Sequence, residues 1–68
     1  MRHQIKTYQA IVGGDPIKGN IYATGTKRAA TDVGHNYAEP GEEIVIITTN
    51  GHTYTYEYVG KLAGVKNK

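Results

Sequence analysis

The stretch from Glu43 to Val59 constrains the fold of this chain most, because two strand-like runs are joined there by Asn50-Gly51. An Asn-Gly pair between such runs favours a type I′ turn, since both central residues of that turn adopt positive φ angles. A two-residue turn also fixes which residues face each other. The predicted cross-strand pairs are Thr49–His52, Ile47–Tyr54, Val45–Tyr56 and Glu43–Tyr58.

This register gives the two faces of the hairpin different side chains. One face carries Val45, Ile47 and three tyrosines, and the other carries Ile44, Ile46, Thr48, Thr53 and Thr55. We expect a helix to cover the tyrosine face, because the small Ala and Val side chains of the predicted helix need large partners. The isoleucine–threonine face then forms an open apolar patch with a polar rim, which is typical of a contact surface. We predict partner binding there, by a second copy of the chain or by another protein.

The first part of the chain predicts another antiparallel hairpin. Side chains alternate from Gln4 to Val12 and again from Ile17 to Thr24, as β-strands require. Gly13-Gly14-Asp15-Pro16 separates the two runs and is typical of a turn. The inward side chains of the second run are predicted to be Ile17, Ile21 and Ala23.

A helix is predicted between the two hairpins. Apolar residues recur there at three- and four-residue spacing, at Ala29, Ala30, Val33 and Tyr37. We expect the helix to run from about Lys27 to Tyr37 or Ala38, with Thr26 as its N-cap, and to stop before Pro40-Gly41.

The order of elements is therefore ββαββ, and the predicted fold class is α+β. We expect an antiparallel sheet of three or four strands with one helix packed on one face, in a single domain over residues 1–60. The segment from Gly60 to Lys68 has two glycines, three lysines and no periodicity, so we predict a flexible basic tail over residues 61–68.

The residues needed for catalysis are scarce. The chain has no Cys and no Ser, and its three histidines lack the spacing of a metal site. Asp15, His35 and His52 are interpreted as surface polar residues. We predict no enzymatic activity, no catalytic residues, no bound metal and no cofactor. No stretch approaches the roughly 20 apolar residues of a membrane span, so we expect no membrane partner and a cytoplasmic location.

Nucleic acid is the alternative partner. Tyrosines on an uncovered sheet, flanked by lysines, form a stacking platform for single strands. Here that platform would consist of Tyr54, Tyr56 and Tyr58 with Lys61 and Lys66. The net charge of +2 and a pI near 9.0 are compatible with it.

A pattern of apolar and turn residues resembles one small family. It comprises Tyr8-Gln9-Ala10-Ile11-Val12, Ile21-Tyr22-Ala23-Thr24, Ala29-Ala30, Asn36-Tyr37 and Pro40-Gly41-Glu42-Glu43-Ile44. This pattern is similar to the small host RNA polymerase inhibitors of the T-odd podophages. The resemblance implies a ββαβ fold that binds the polymerase jaw and blocks promoter opening. The positions that match the family's recognition arginines are Ile46 and Thr48 in this chain.

The resemblance and the predicted contact surface together give the functional expectation. We predict a non-enzymatic, phage-type binding module that binds and inhibits a host macromolecular machine in the host cytoplasm. Bacterial RNA polymerase is the partner that the resemblance implies.

Overall fold

The part of the chain that the computed structural model describes, residues 4–68, folds into six antiparallel strands and one helix. In chain order these are β1 (Lys6–Val12), β2 (Asp15–Pro16), β3 (Ile21–Ala23), α1 (Thr26–Tyr37), β4 (Glu43–Thr48), β5 (Thr53–Gly60) and β6 (Gly64–Asn67). The strands form one sheet in the order β2-β1-β4-β5-β6, and β3 also pairs with β1. The predicted α+β class, with one helix on one face of an antiparallel sheet, is confirmed.

The sheet has more strands than the three or four predicted, and part of the difference lies at its first edge. The predicted strand from Ile17 to Thr24 is replaced by two short strands, β2 and β3, which both lie along β1. Gly19, at a φ of 83°, turns the chain between them. Ile17 still donates a 2.9 Å backbone hydrogen bond to Ala10, and Ile17 and Ile21 pack against the core as predicted.

The helix lies where it was predicted, with a different start. Its N-cap is Gly25, which has no side chain to cap the first turn, and Thr26 is the first helical residue. The Thr26 hydroxyl is instead 2.7 Å from the Tyr56 hydroxyl, so the two side chains share a hydrogen bond. Ala29, Ala30 and Val33 are buried, as the helical periodicity predicted.

The register of the β4–β5 hairpin differs by one residue from the prediction. The pairs are Ile44–Tyr56, Val45–Thr55, Ile46–Tyr54 and Ile47–Thr53. The loop has three residues, and only Gly51 has a positive φ, at 87°. The Gly51 N–H donates to the Thr48 carbonyl at 3.0 Å, and the Thr48 N–H donates to the His52 carbonyl at 2.9 Å. This is a turn followed by a left-handed glycine, the other common hairpin closure for such a sequence.

Charge burial explains why this register suits the fold. In the predicted register, Glu43 would stand opposite Tyr58 on the face that the helix covers, and a carboxylate without a partner is costly to bury. The observed register pairs Glu43 with Glu57 on the other face. Ile44 and Ile46 then face the helix together with Tyr56 and Tyr58, and all four are buried.

The predicted flexible tail over residues 61–68 is wrong for most of that segment. Residues Gly64–Asn67 form β6, an edge strand paired with β5, and Val65 lies in the core. Two glycines at positive φ, Gly60 at 116° and Gly64 at 75°, allow the chain to reverse there. The domain therefore extends past the predicted boundary at residue 60, while residues 1–3 of the prediction lie outside the described part.

Candidate functional site

The five residues predicted to bind a partner do not share one face. Ile44 and Ile46 are 0% exposed beneath α1, so the prediction that they form a contact surface is wrong. Thr48 lies on the helix side at the end of β4, paired with Tyr8, and its hydroxyl accepts a hydrogen bond from the His52 N–H. Only Thr53 and Thr55 lie on the face turned away from the helix. The one-residue register shift accounts for this mixture, because it exchanges the two faces of β4.

The face of the sheet away from α1 is not covered by any element within residues 4–68. We call it the open face, and its residues are Thr7, Gln9, Ile11, Tyr22, Glu43, Val45, Ile47, Thr53, Thr55, Glu57 and Lys66. Its centre is an aliphatic band of Ile11, Val45 and Ile47, because Ile11 pairs with Val45 across β1 and β4. All three are half-buried, although only neighbouring strands shield them. The band thus gives the open face an apolar centre.

The two sides of the band differ in charge. On the β1 side the neighbours are neutral, with Gln9 exposed and Tyr22 also exposed on the edge strand β3. On the β6 side the glutamates are partnered by lysines, with Lys66 Nζ 3.7 Å from Glu57 and Lys68 Nζ 3.8 Å from Glu43. The paired charges leave the open face apolar in the centre and close to neutral at its rim.

The band was missed from the sequence, although one signal was present. The predicted pairing of Glu43 with Tyr58 places the Glu43 carboxylate on the covered face. Shifting the register by one residue moves that carboxylate to the open face. That shift also moves Val45 and Ile47 outward. The charge of Glu43 was therefore the residue-level evidence for the alternative loop.

The tyrosine platform of the nucleic-acid alternative is not assembled. Tyr56 and Tyr58 are buried in the core, whereas Tyr54 is 44% exposed. Tyr58 packs against Gly34 and edge-on to His35. All three tyrosines face the helix side, as the expected covering of the tyrosine face requires, and only Tyr54 stays exposed. Lys61 is exposed in the turn before β6, and Lys66 lies beside Glu57 on the open face.

The polar residues considered for catalysis are dispersed among different elements. Asp15 lies in the edge strand β2, His35 in α1, and His52 directly after the β4–β5 loop. Within residues 4–68 no cluster of three or more His, Asp or Glu side chains is arranged to hold a metal ion. The helix of the described part is too short and too polar to cross a membrane.

Comparison with known proteins adds no relative. No family model, no curated protein and no solved structure matches this chain. The class of protein is thus defined by the fold alone, a small α+β domain with one helix packed on an antiparallel sheet.

Proposed function

We propose that this protein is a non-enzymatic binding module that places its open face on another protein. The observation that supports this proposal is the aliphatic band of Ile11, Val45 and Ile47 in the middle of a sheet face without a covering element. These aliphatic side chains are in contact with water on the isolated domain. Covering them with a partner removes apolar surface from water, which stabilises the complex.

The size and charge of the open face favour a protein partner. The longer two dimensions of the molecule are 31 and 25 Å, so this face is about as large as the 800 Å² that each side contributes to a standard interface. Because Glu43 and Glu57 are already paired with lysines, the rim requires no strongly charged partner. An apolar centre with a polar rim is the usual anatomy of such an interface.

The first target to test is bacterial RNA polymerase, which the resemblance to the podophage inhibitors supports. Ile46, which matches one recognition arginine of that family, is buried here. Any contact with the polymerase would therefore use the open face and its band. Inhibition would follow from occupying a surface of the enzyme, without chemistry by the small protein.

The test uses purified bacterial RNA polymerase and two lysine variants. Ile47→Lys places a charge in the band, and Leu62→Lys makes the same change at a fully exposed position in the β5–β6 turn. We expect biolayer interferometry to show binding of the wild type and of Leu62→Lys, and a loss of about tenfold or more for Ile47→Lys. Transcription from a promoter template should be inhibited in the same order.

Two outcomes would contradict the proposal in different ways. If the wild-type protein does not bind the polymerase, the target is wrong. If light scattering instead shows a dimer that Ile47→Lys converts to a monomer, the open face serves self-association and not another protein.

A further inference from the structure

A second surface lies at the end of the molecule where α1 begins, and it includes the open-face residues Thr7, Thr53 and Thr55 but none of the band. Two adjoining cavities of about 510 and 500 Å³ share Thr26 and Tyr54 as walls. We call them together the Tyr54 trough. Lys6 and His52 line the first cavity, and Lys68 lines the second. Tyr54 stands between them with 44% of its side chain exposed.

The charge around the trough is one-sided. None of the six Asp and Glu residues of the chain lines either cavity. Lys27 and Arg28 are exposed in the first turn of α1, which contains no acidic residue. Cations at the start of a helix oppose its dipole, so this arrangement does not serve the stability of the helix. A negatively charged ligand would reverse that penalty.

The backbone of α1 adds hydrogen-bond donors to this end of the molecule. Its N-cap, Gly25, offers no side-chain acceptor, and the first N–H that bonds to the Gly25 carbonyl belongs to Ala29. The earlier N–H groups of the first turn are the type of donors that bind phosphate at helix N-termini. The Thr26 hydroxyl lies beside them, oriented by Tyr56.

Tyr8 adds a polar side chain to the wall of the trough. Its side chain is only 5% exposed, yet it lines the first cavity. The side-chain hydrogen bonds formed among residues 4–68 do not include its hydroxyl. Tyr56, equally buried, satisfies its hydroxyl with Thr26. Tyr8 therefore contributes a nearly buried side chain to the wall of the first cavity, with a hydroxyl that no residue within 4–68 engages.

From these observations we infer that the Tyr54 trough binds single-stranded nucleic acid. A backbone phosphate lies at the start of α1, within reach of Lys6 and the Tyr8 hydroxyl, and an unpaired base stacks on Tyr54. Two adjoining cavities, with Lys6 in the first and Lys68, which also pairs with Glu43, in the second, suit an extended chain better than a single anion. This inference does not depend on the proposed protein partner, because the aliphatic band takes no part in it.

The test measures fluorescence anisotropy of labelled oligothymidine and oligouridine of about ten nucleotides, the length that one small domain can span. Three variants remove one group each: Tyr54→Ala, Lys6→Ala and Tyr8→Phe. Tyr22→Ala and Lys18→Ala are the matched controls, because both residues are exposed elsewhere on the molecule. Circular dichroism confirms that each variant is folded.

We expect micromolar binding that weakens as salt rises from about 50 to 200 mM. Tyr54→Ala should weaken it about fivefold or more, as loss of a stacked base does. Tyr8→Phe, which removes only a hydroxyl, and Lys6→Ala should each weaken it severalfold, and the two controls should not. Equal affinity for inorganic phosphate or a mononucleotide would overturn the inference in favour of a small-anion pocket. If Tyr54→Ala and Tyr8→Phe leave the affinity unchanged, the binding is nonspecific charge attraction and the inference is wrong. Absence of binding would also refute the inference.

Discussion

The two faces of the sheet are built from the same two strands, yet only one of them is core. On the covered face Ile44 and Ile46 belong to the same core cluster as Tyr56 and Tyr58, under α1. On the open face Val45 and Ile47 meet Thr55 and Thr53. The run from Ile44 to Ile47 is aliphatic at every position, so its own pattern does not reveal which face is buried. The partner strand decides, because only its tyrosines supply the volume that the small helix residues lack.

The largest expected effect is a difference in stability between lysine substitutions at two neighbouring residues, one on each face. Ile46→Lys should unfold the domain, because a lysine charge buried without a partner costs several kcal/mol, and a domain of this size holds roughly 3–5 kcal/mol in total. Ile47→Lys should keep the fold and change the free energy of unfolding by less than about 1 kcal/mol. Thermal and urea denaturation followed by circular dichroism measure both.

The same pair of variants tests the register itself. If Ile47→Lys unfolds the domain and Ile46→Lys does not, the two-residue turn is correct and the faces are exchanged. Equal destabilisation would mean that a partner, such as a second copy, covers the open face.

Packing on the covered face is close enough that glycine is preferred over alanine at one position inside α1. Gly34 lies inside α1, where alanine is ordinarily favoured by about 1 kcal/mol, but a Cβ there would overlap the Tyr58 ring. Overpacking of this type costs about 1–3 kcal/mol. We therefore expect Gly34→Ala to lower the free energy of unfolding by about 1–2 kcal/mol.

A double-mutant cycle isolates the cause of that loss. In a Tyr58→Leu background the ring is absent, so Gly34→Ala should be neutral or stabilising. A loss of the same size in both backgrounds would show that Tyr58 is not the obstacle.

Substitutions in the β4–β5 loop, which determines the register and thus the two faces of β4, should change stability less. Gly51 has a φ of 87°, whereas Asn50 has no positive φ. Gly51→Val should cost at least about 1 kcal/mol, because a β-branched residue is strained there. Asn50→Ala should cost less than about 0.5 kcal/mol. Comparable costs at the two positions would instead support the type I′ turn, which needs positive φ at both.

The sequence sufficed for the elements whose periodicity is local. The α+β class, the helix and its buried Ala29, Ala30 and Val33 all follow from spacing alone. The faces of β4 did not, because an Asn-Gly pair is compatible with two loops that differ by one residue. Strand β6 was also missed, since a four-residue edge strand that begins with a glycine has too few side chains to show alternation. Both errors concern pairing between strands, which a single strand does not encode.

The trough could not be foreseen for a related reason. Lys6, Thr26, His52 and Tyr54 are far apart in the chain and come together only once the register of β4 and β5 is fixed. Among them, Tyr54 alone was predicted from the sequence to contact nucleic acid. The buried position of Tyr8 beside Thr48 depends on the pairing of β1 with β4, which nothing in the local pattern specifies.

The smallest expected effect concerns the charged rim of the open face. Lys66 lies 3.7 Å from Glu57, but the Lys66 side chain is 64% exposed, so the pair is solvated. Exposed ion pairs contribute roughly 0–1 kcal/mol, and β6 is held by its ladder with β5 and by buried Val65. Lys66→Ala should therefore change the free energy of unfolding by less than about 0.5 kcal/mol, whereas Val65→Ala should cost about 1 kcal/mol or more because it empties core volume. Denaturation at low and high salt measures both variants. If the lysine change costs as much as the valine change at low salt, and salt removes that cost, then charge pairing holds the edge strand and the rim of the open face contributes to the fold.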